Sequence, residues 1–338
     1  MLRSQRRGSI KRKMKVLFGT IAKNIEGSFQ NLLAFASELF ALQPDADLYL
    51  YENNSTDATR AFFPLLESCS PHVHVHSEDF TAAQQLAASR AHTWDKKPCR
   101  IEMIAVARNK LLEMMAPDVG SADYVVLFDA DMAQPLDAAA ILHTLLDFPV
   151  DADAIFANGL SANGLTYYDM YALRTHDRPC GPEILGETFW KTLPRQMIRA
   201  RTPVYSAFGG LGLYRAAAVR GARYSAFPTP ELNALYHRVA SPMPPHDTHY
   251  NGALLGTYLF EAKEDGGFFY YNNSGYAAPI VCEHSTFHAD MAARGTGRFY
   301  IDPALTFWST HSPIGSGGFW STMPCWTCVK RVFTLPLR

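Results

Sequence analysis

The sequence predicts an α/β chain, one large domain built on a mostly parallel sheet flanked by helices. Three observations carry that expectation. Short apolar runs alternate with helical repeats through the first half of the chain. The runs are apolar on both faces, as strands of a helix-covered parallel sheet are. And 338 residues, 48 % of them hydrophobic, can bury a large core without disulfide or metal staples.

The elements follow in order. Residues 15–20, KVLFGT, form a short apolar run ending in a small polar residue and read as a first buried strand. Residues 29–42 repeat apolar side chains at helical spacing and stop before Pro44. Residues 47–51, DLYLY, give a second strand. Asn54-Ser55-Thr56-Asp57 supplies a turn and N-cap for a helix over 58–66. Histidine alternates with valine over 72–76, a third strand. Residues 101–115 are strongly helical, and 123–128, DYVVLF, form the densest strand of the chain. After Pro149 aromatics, glycine and proline increase, leaving strand-like runs at 155–158 and 204–214. The chain divides into a basic arm (1–14), a first half (15–150), a second half (151–312) and a Gly- and Trp-rich tail (313–338).

Charge sharpens the division. The whole chain carries 31 Lys and Arg against 32 Asp and Glu, but seven of the bases fall in residues 1–15 with no acid. The remainder holds 24 bases against 32 acids, a net of about −8. An acidic body argues against nucleic acid as a partner. The arm suits contact with an anionic membrane surface, or no dedicated partner at all. No apolar run approaches the roughly 18 residues that span a bilayer. The six cysteines are scattered, which suits a reducing, cytoplasmic setting; Cys325 and Cys328 form an isolated CxxC.

Ligands on parallel sheets bind beyond the carboxyl ends of the strands, so the motifs there matter most. Asp129-Ala130-Asp131 follows the densest strand. Two carboxylates at a strand exit can hold Mg2+ or Mn2+ and, through it, the diphosphate of a nucleotide sugar. They can also merely cap a loop. Glu52, Asn53 and Asp57 follow the second strand, where carboxylates and amides can grip a base or ribose, although the same residues also serve turn chemistry. Thr20, Ala22 and Asn24 would line the same crevice. Arg108, in the helix over 101–115, can pair with phosphates, orient the Asp-x-Asp carboxylates, or form a surface ion pair. Glu283, His284, His288 and Asp290 put four ionisable groups in eight residues, enough to complete a metal shell or hold a sugar.

This combination resembles the GT-A nucleotide-sugar glycosyltransferases, and within them the fungal capsule-associated α-1,3-mannosyltransferase family. The matching stretches, in family order, are residues 51–59, 100–113, 123–131, 167–174, 203–210 and the segment from Glu283 to Asp290. The family usually has Asn-Asp-Val where this chain has Asp129-Ala130-Asp131, and Trp-Asn-Gly where it has Phe208-Gly209-Gly210.

The resemblance implies a GT-A-like, Rossmann-like fold, a nucleotide-sugar donor (GDP-mannose, or a UDP-sugar), Mn2+ or Mg2+, a glycan or glycoconjugate acceptor, and retention at the anomeric carbon. On it, 15–150 is the donor-binding half and 151–312 the acceptor-binding half. The donor base and ribose would lie against Thr20, Ala22, Glu52 and Asn53, with Asp57 nearby. The cation would sit on Asp131, helped by Asp129 and by His284 or His288, with Arg108 supporting the phosphates. Gly209 and Gly210 would let the backbone approach a sugar. Asp247 and Glu283 are candidate bases for an inverting course, and Asp169 would bind the donor sugar. Two other readings share these residues. A nucleotidyltransferase also uses paired Asp, but lacks support from a Gly-rich loop after the first strand. A non-catalytic carbohydrate-binding protein would use the aromatics alone.

Overall fold

The computed structural model describes residues 14–89, 98–162, 167–181, 198–240, 261–262, 268–269 and 281–311. The arm, the tail with Cys325 and Cys328, and Asp247 lie outside the described residues.

Strands β1 (Val16–Ala22), β2 (Asp47–Asn53), β3 (Val73–Glu78) and β4 (Tyr124–Asp129) run parallel in the order β3-β2-β1-β4. Alternation along β1 explains why. Val16 and Phe18 face one core, with helix α1 (Phe29–Leu42), while Leu17 faces the other. Every residue from Val16 to Thr20 is buried, so the strand must be covered on both sides. Between β2 and β3 a short 3-10 turn (Ala58–Phe62) runs into α2 (Phe63–Glu67), so the single expected helix is two short pieces, with Pro64 at the start of the second. Helix α3 (Ala82–Ala88) opens on a Thr81–Gln84 capping box. Helix α4 (Arg100–Val119) packs Leu111 and Met115 on the sheet, close enough that a Cβ on Gly19 would press on the Met115 sulfur. After β4 comes α5 (Ala138–Leu146), capped by Asp137.

The second half extends the same sheet. Its strands are β5 (Ala154–Leu160), β6 (Arg174–Thr175), β7 (Thr202–Ser206), β8 (Leu211–Arg215) and, after the two-residue hairpin strands β9 (Glu261–Ala262) and β10 (Phe268–Phe269), β11 (Phe299–Trp308). Nine strands order as β3-β2-β1-β4-β8-β5-β11-β7-β6. β8 lies between β4 and β5, antiparallel to both, and β11 is antiparallel to β7. The expected helix-flanked α/β sheet is thus found, parallel over β3-β2-β1-β4 and mixed beyond it. The expected run over 204–214 is two strands, β7 and β8, because Gly209 and Gly210 take positive φ (61° and 83°) and turn the chain between them. Helices α6 (Ala216–Val219), α7 (Pro230–Ala240) and α8 (Glu283–Arg294) complete the fold, α8 packing on α7, α4 and β7. Among the described residues no helix is long and apolar enough to cross a membrane.

Candidate active site

The carboxyl ends of β1, β2 and β4 open on one edge of the sheet, and β4 ends at Asp129. Arg108, on the sheet face of α4, donates from Nη2 to Asp129 Oδ1 at 2.9 Å. Its Nε faces Glu283 Oε1, at the start of α8, at 3.3 Å. The guanidinium also lies over the rings of Phe208 (4.9 Å) and Tyr224 (5.7 Å). Burial works against its charge, and Asp129 and the other acidic neighbours outweigh that, so it stays cationic. Burial pushes the Asp129 carboxyl up to about 6, and Asp131 adds to the rise while Arg108 opposes it. Of the alternatives open to Arg108, the one found is orientation of the first Asp-x-Asp carboxylate.

Asp131 turns outward. Its Oδ2 pairs with His311 Nε2 at 2.8 Å, and its backbone carbonyl accepts from Thr310 at 3.2 Å. The hydrogen bond to Asp131 is the main reason the His311 pKa is raised. Tyr168 stacks on Phe307 and His311 and points its hydroxyl at Asp129 Oδ2, 3.5 Å away. Tyr168 belongs to the aromatics that the carbohydrate-binding reading would use, whereas nothing in the sequence singles out His311. A single histidine 180 positions from its partner leaves no pattern to read.

Several expected site residues are engaged elsewhere. His288 is fully buried between Ser206 Oγ (2.9 Å from Nδ1) and Tyr214 Oη (3.2 Å from Nε2). Both ring nitrogens are used inside the core, so His288 is no metal ligand. Glu283 is spent on Arg108 and is not a free base. Glu52 is wholly buried, its oxygens taken by Ser55 N, Arg60 Nε and Ser77 Oγ. That network holds its pKa low despite burial and leaves nothing for a ribose. Thr20 donates to Phe128 O at 2.8 Å within the sheet, and Ala22 packs in the core with Ile25 and Phe29. Asp57 caps the turn after β2 by accepting from Thr59 N and Glu26 N, which is the cap reading of that motif. Asn53, half-buried at the carboxyl end of β2, donates from its side-chain amide to Asn54 Oδ1 at 3.3 Å.

The glycine pair serves the fold. A Cβ on Gly209 would meet Ala157 O at 2.5 Å, and one on Gly210 would overlap the Phe307 ring. Close approach to the chain's own β5 and β11 requires glycine at both positions.

Two expected residues stand beside the Arg108 cluster with unmet hydrogen-bonding capacity. Asp169 takes φ 60°, rare for a non-glycine residue, and its buried Oδ2 has no hydrogen-bond partner among the described residues. Burial, then the charges of Asp129 and Glu283, push its pKa well above the carboxylate range. His284 stacks on Phe208 at 3.9 Å, and neither ring nitrogen is hydrogen-bonded among the described residues; Nε2 is 3.7 Å from Glu283 Oε1. Burial and the charge of Arg108 hold it neutral. Among the described residues no three His, Cys, Asp or Glu side chains form an arrangement that holds a metal ion.

Solved structures similar to the chain include Staphylococcus aureus TarS 1-349 (10 % identity, 88 % of this chain and 60 % of that one, TM-score 0.41). The mannosyltransferase PcManGT from Pyrobaculum calidifontis, in complex with GDP-Man and Mn2+, is similar at 12 % identity over 93 % of this chain and 64 % of that one (TM-score 0.42). Glucosyl-3-phosphoglycerate synthase from Mycobacterium tuberculosis, with Mn2+, UDP-Glc and phosphoglyceric acid, is similar at 11 % identity over 96 % and 81 % (TM-score 0.40). The chain thus spans under two thirds of the length of the first two, and scores this low fix neither a ligand nor a reaction for it. No curated protein matches the chain. Residues 40–242, more than half the sequence, match the family described as Cryptococcal mannosyltransferase 1, and the chain belongs to that family.

Proposed function

We propose that this chain moves a hexose from a nucleotide-sugar donor to a glycan or glycoconjugate acceptor, aided by a divalent cation. The observation that supports the reading best is the pair of carboxylates leaving β4: Asp129 held from behind by Arg108, and Asp131 turned outward against His311. Carboxylate oxygens with one imidazole suit Mn2+ or Mg2+, and Asp131, its side chain 37 % exposed, can be reached from solvent. Asp131 and His311 would hold the cation, with Asp129 beside them. Such a cation offsets negative charge gathering on a departing nucleoside diphosphate.

The chain's own groups have defined work in this reading. Arg108 is neutralised by two carboxylates, so it fixes Asp129 rather than reaching phosphate. Asn53, at the carboxyl end of β2, is the residue that would meet the ribose or base. A retaining course needs no base on the acceptor face, which is compatible with Glu283 being tied to Arg108. Family membership makes mannose the first sugar to consider and GDP-mannose the first donor, with UDP-sugars next.

The test is hydrolysis of a panel of GDP- and UDP-hexoses, with Mn2+, with Mg2+ and with EDTA. Turnover of at least one donor, lost with EDTA and in Asp131→Asn, is expected. No turnover of any donor, or equal turnover by the variant, would sink the reading.

A further inference from the structure

The basic arm has no part in the proposed site, but the fold fixes the point at which it joins the body. Met14 O accepts from Gln43 Nε2 at 3.0 Å, and the Lys15 amide donates to Asp123 Oδ2 at 2.9 Å. That point is the amino edge of the sheet, where β1, β2 and β4 begin. Asp129 and Asp131 stand at the opposite edge. Ahead of Met14, residues 1–13, MLRSQRRGSIKRK, hold six Lys and Arg and no acid.

Exposed apolar side chains gather at the same edge. Helices α1 and α5 pack on each other, and each runs back from the carboxyl edge, so their last residues, Leu42 and Leu146, reach the amino edge. Leu42 adjoins Gln43, the residue that holds Met14. Val150 follows in the turn before β5. The three are 49 %, 77 % and 94 % exposed, against one other large apolar residue exposed among the described ones, Leu65. The turn that carries Val150 is braced. Arg215 donates from Nε to Ala152 O at 2.7 Å and from Nη2 to Pro149 O at 2.6 Å, with its guanidinium 5.0 Å over the Phe148 ring. A single exposed apolar residue needs no explanation. Three of them share an edge here with the start of a polybasic segment.

A bilayer with anionic headgroups complements both halves of this surface. Its negative potential draws Lys and Arg, its acyl boundary takes apolar side chains, and the two signals together hold where either alone holds weakly. A nucleic acid offers phosphates but no apolar interior for Leu146 and Val150. We propose that the amino edge of the sheet docks on an anionic lipid surface, with Leu42, Leu146 and Val150 entering the interface and residues 1–13 meeting the headgroups. The candidate site then lies about 20 Å further out, the length of the seven-residue β1, and opens away from the lipid. Two acids border the apolar side chains. Asp151 is ion-paired with Arg298, whereas Asp147 is exposed and works against an anionic surface.

Co-sedimentation of the full chain with vesicles tests this, at about 0.15 M salt. The vesicles are phosphatidylcholine alone, or phosphatidylcholine with phosphatidylserine as about one lipid in three. Three variants accompany the parent. In the first, all six Lys and Arg of residues 1–13 become Gln. The second combines Leu146→Ser with Val150→Ser, and the third is Asp147→Lys. Leu146, Val150 and Asp147 are exposed, so the second and third should keep the parental urea midpoint. The parent is expected to bind the mixed vesicles at least about tenfold more tightly than phosphatidylcholine alone. The Gln variant should lose that preference. Leu146→Ser with Val150→Ser should weaken binding to the mixed vesicles about fivefold or more, and Asp147→Lys should tighten it by a similar factor. Equal binding of the parent to both vesicles overturns the proposal. Parental binding by the Leu146 and Val150 variant overturns it too, and would leave the arm a general polyanion ligand with no docking face. Unchanged binding by Asp147→Lys would turn this edge away from the lipid and has the same consequence. Vesicle binding is read without substrate, so its failure and the failure of the glycosyltransferase reading are separate results.

Discussion

Arg108 Nη2 lies 2.9 Å from Asp129 Oδ1, with 7 % and 17 % of the two side chains exposed. Because Glu283 is bound by the same guanidinium, removing Arg108 would leave two carboxylates in a largely dry site with no counter-charge. Breaking a buried ion pair from one side typically costs about 3–5 kcal/mol. Arg108→Met is therefore expected to lose about 3 kcal/mol or more, seen as a lower urea midpoint. Arg108→Lys should fall between, since one ammonium cannot reach both carboxylates and cannot reproduce the planar stack on Phe208. A parental midpoint for Arg108→Met would mean that the pair contributes nothing to the fold.

The glycine pair makes a second, separable prediction. Gly210→Ala must adopt φ 83° and place its Cβ in the Phe307 ring. Left-handed strain and overpacking each cost about 1–3 kcal/mol, so a loss of at least about 2 kcal/mol is expected. Adding Phe307→Leu should recover part of it, because the two positions touch and their effects cannot be additive. If Gly210→Ala instead kept the parental melting temperature and raised the KM for a sugar nucleotide, the glycine would be serving the ligand.

Acid should destabilise the protein through its buried histidines. Burial pushes His288 down to about 3, and burial with the charge of Arg108 pushes His284 down as well. In the unfolded chain both titrate near 6.5. Above that pH neither state binds the proton and no stability is lost. Below it the unfolded state takes up protons that the folded state refuses, so stability falls as pH falls, by about 1.4 kcal/mol per pH unit for each histidine. For His288 the loss continues until about pH 3. The raised pKa values of Asp129, Asp169 and His311 act with the opposite sign in the same range. The quantity to read from urea midpoints between pH 7.5 and 5 is therefore the difference between parent and His288→Gln, expected to be about 1.4 kcal/mol per pH unit below about pH 6. An unaltered slope in that variant would place the acid sensitivity elsewhere.

What the sequence discloses about this molecule divides by distance along the chain. Helix α1 occupies the residues that its apolar spacing and Pro44 mark out, and β1, β2 and β4 lie within two residues of their apolar runs, because each of those signals is local. Helix α8 was hidden by its own chemistry. Glu283, His284 and His288 look like a ligand cluster in one dimension, but on a helix His288 falls between Ser206 and Tyr214. β11 is broken at Pro303 by a register shift between Asp302 and Thr306, and its partners β5 and β7 lie about 100 or more residues away. The site divides the same way. Asp129 and Asp131 were legible from their place after a buried strand. Arg108 with Glu283, and Asp131 with His311, are brought together only by the sheet order, across 175 and 180 residues.

That second pairing allows a clean separation of chemistry from folding. The Asp131 and His311 side chains are 37 % and 44 % exposed, and an ion pair so open to water contributes at most about 1 kcal/mol. Asp131→Asn and His311→Ala should therefore unfold within about 1 kcal/mol of the parent. Among the described residues, Asp129 is held by Arg108 and His288 is locked in the core, so neither replaces these two groups in holding the proposed cation. Each variant is expected to lose Mn2+ binding by calorimetry at least about tenfold, and Mn2+-stimulated hydrolysis with it. Loss in Asp131→Asn alone would assign His311 to substrate rather than metal. Parental Mn2+ affinity in both variants would remove the cation from this end of β4.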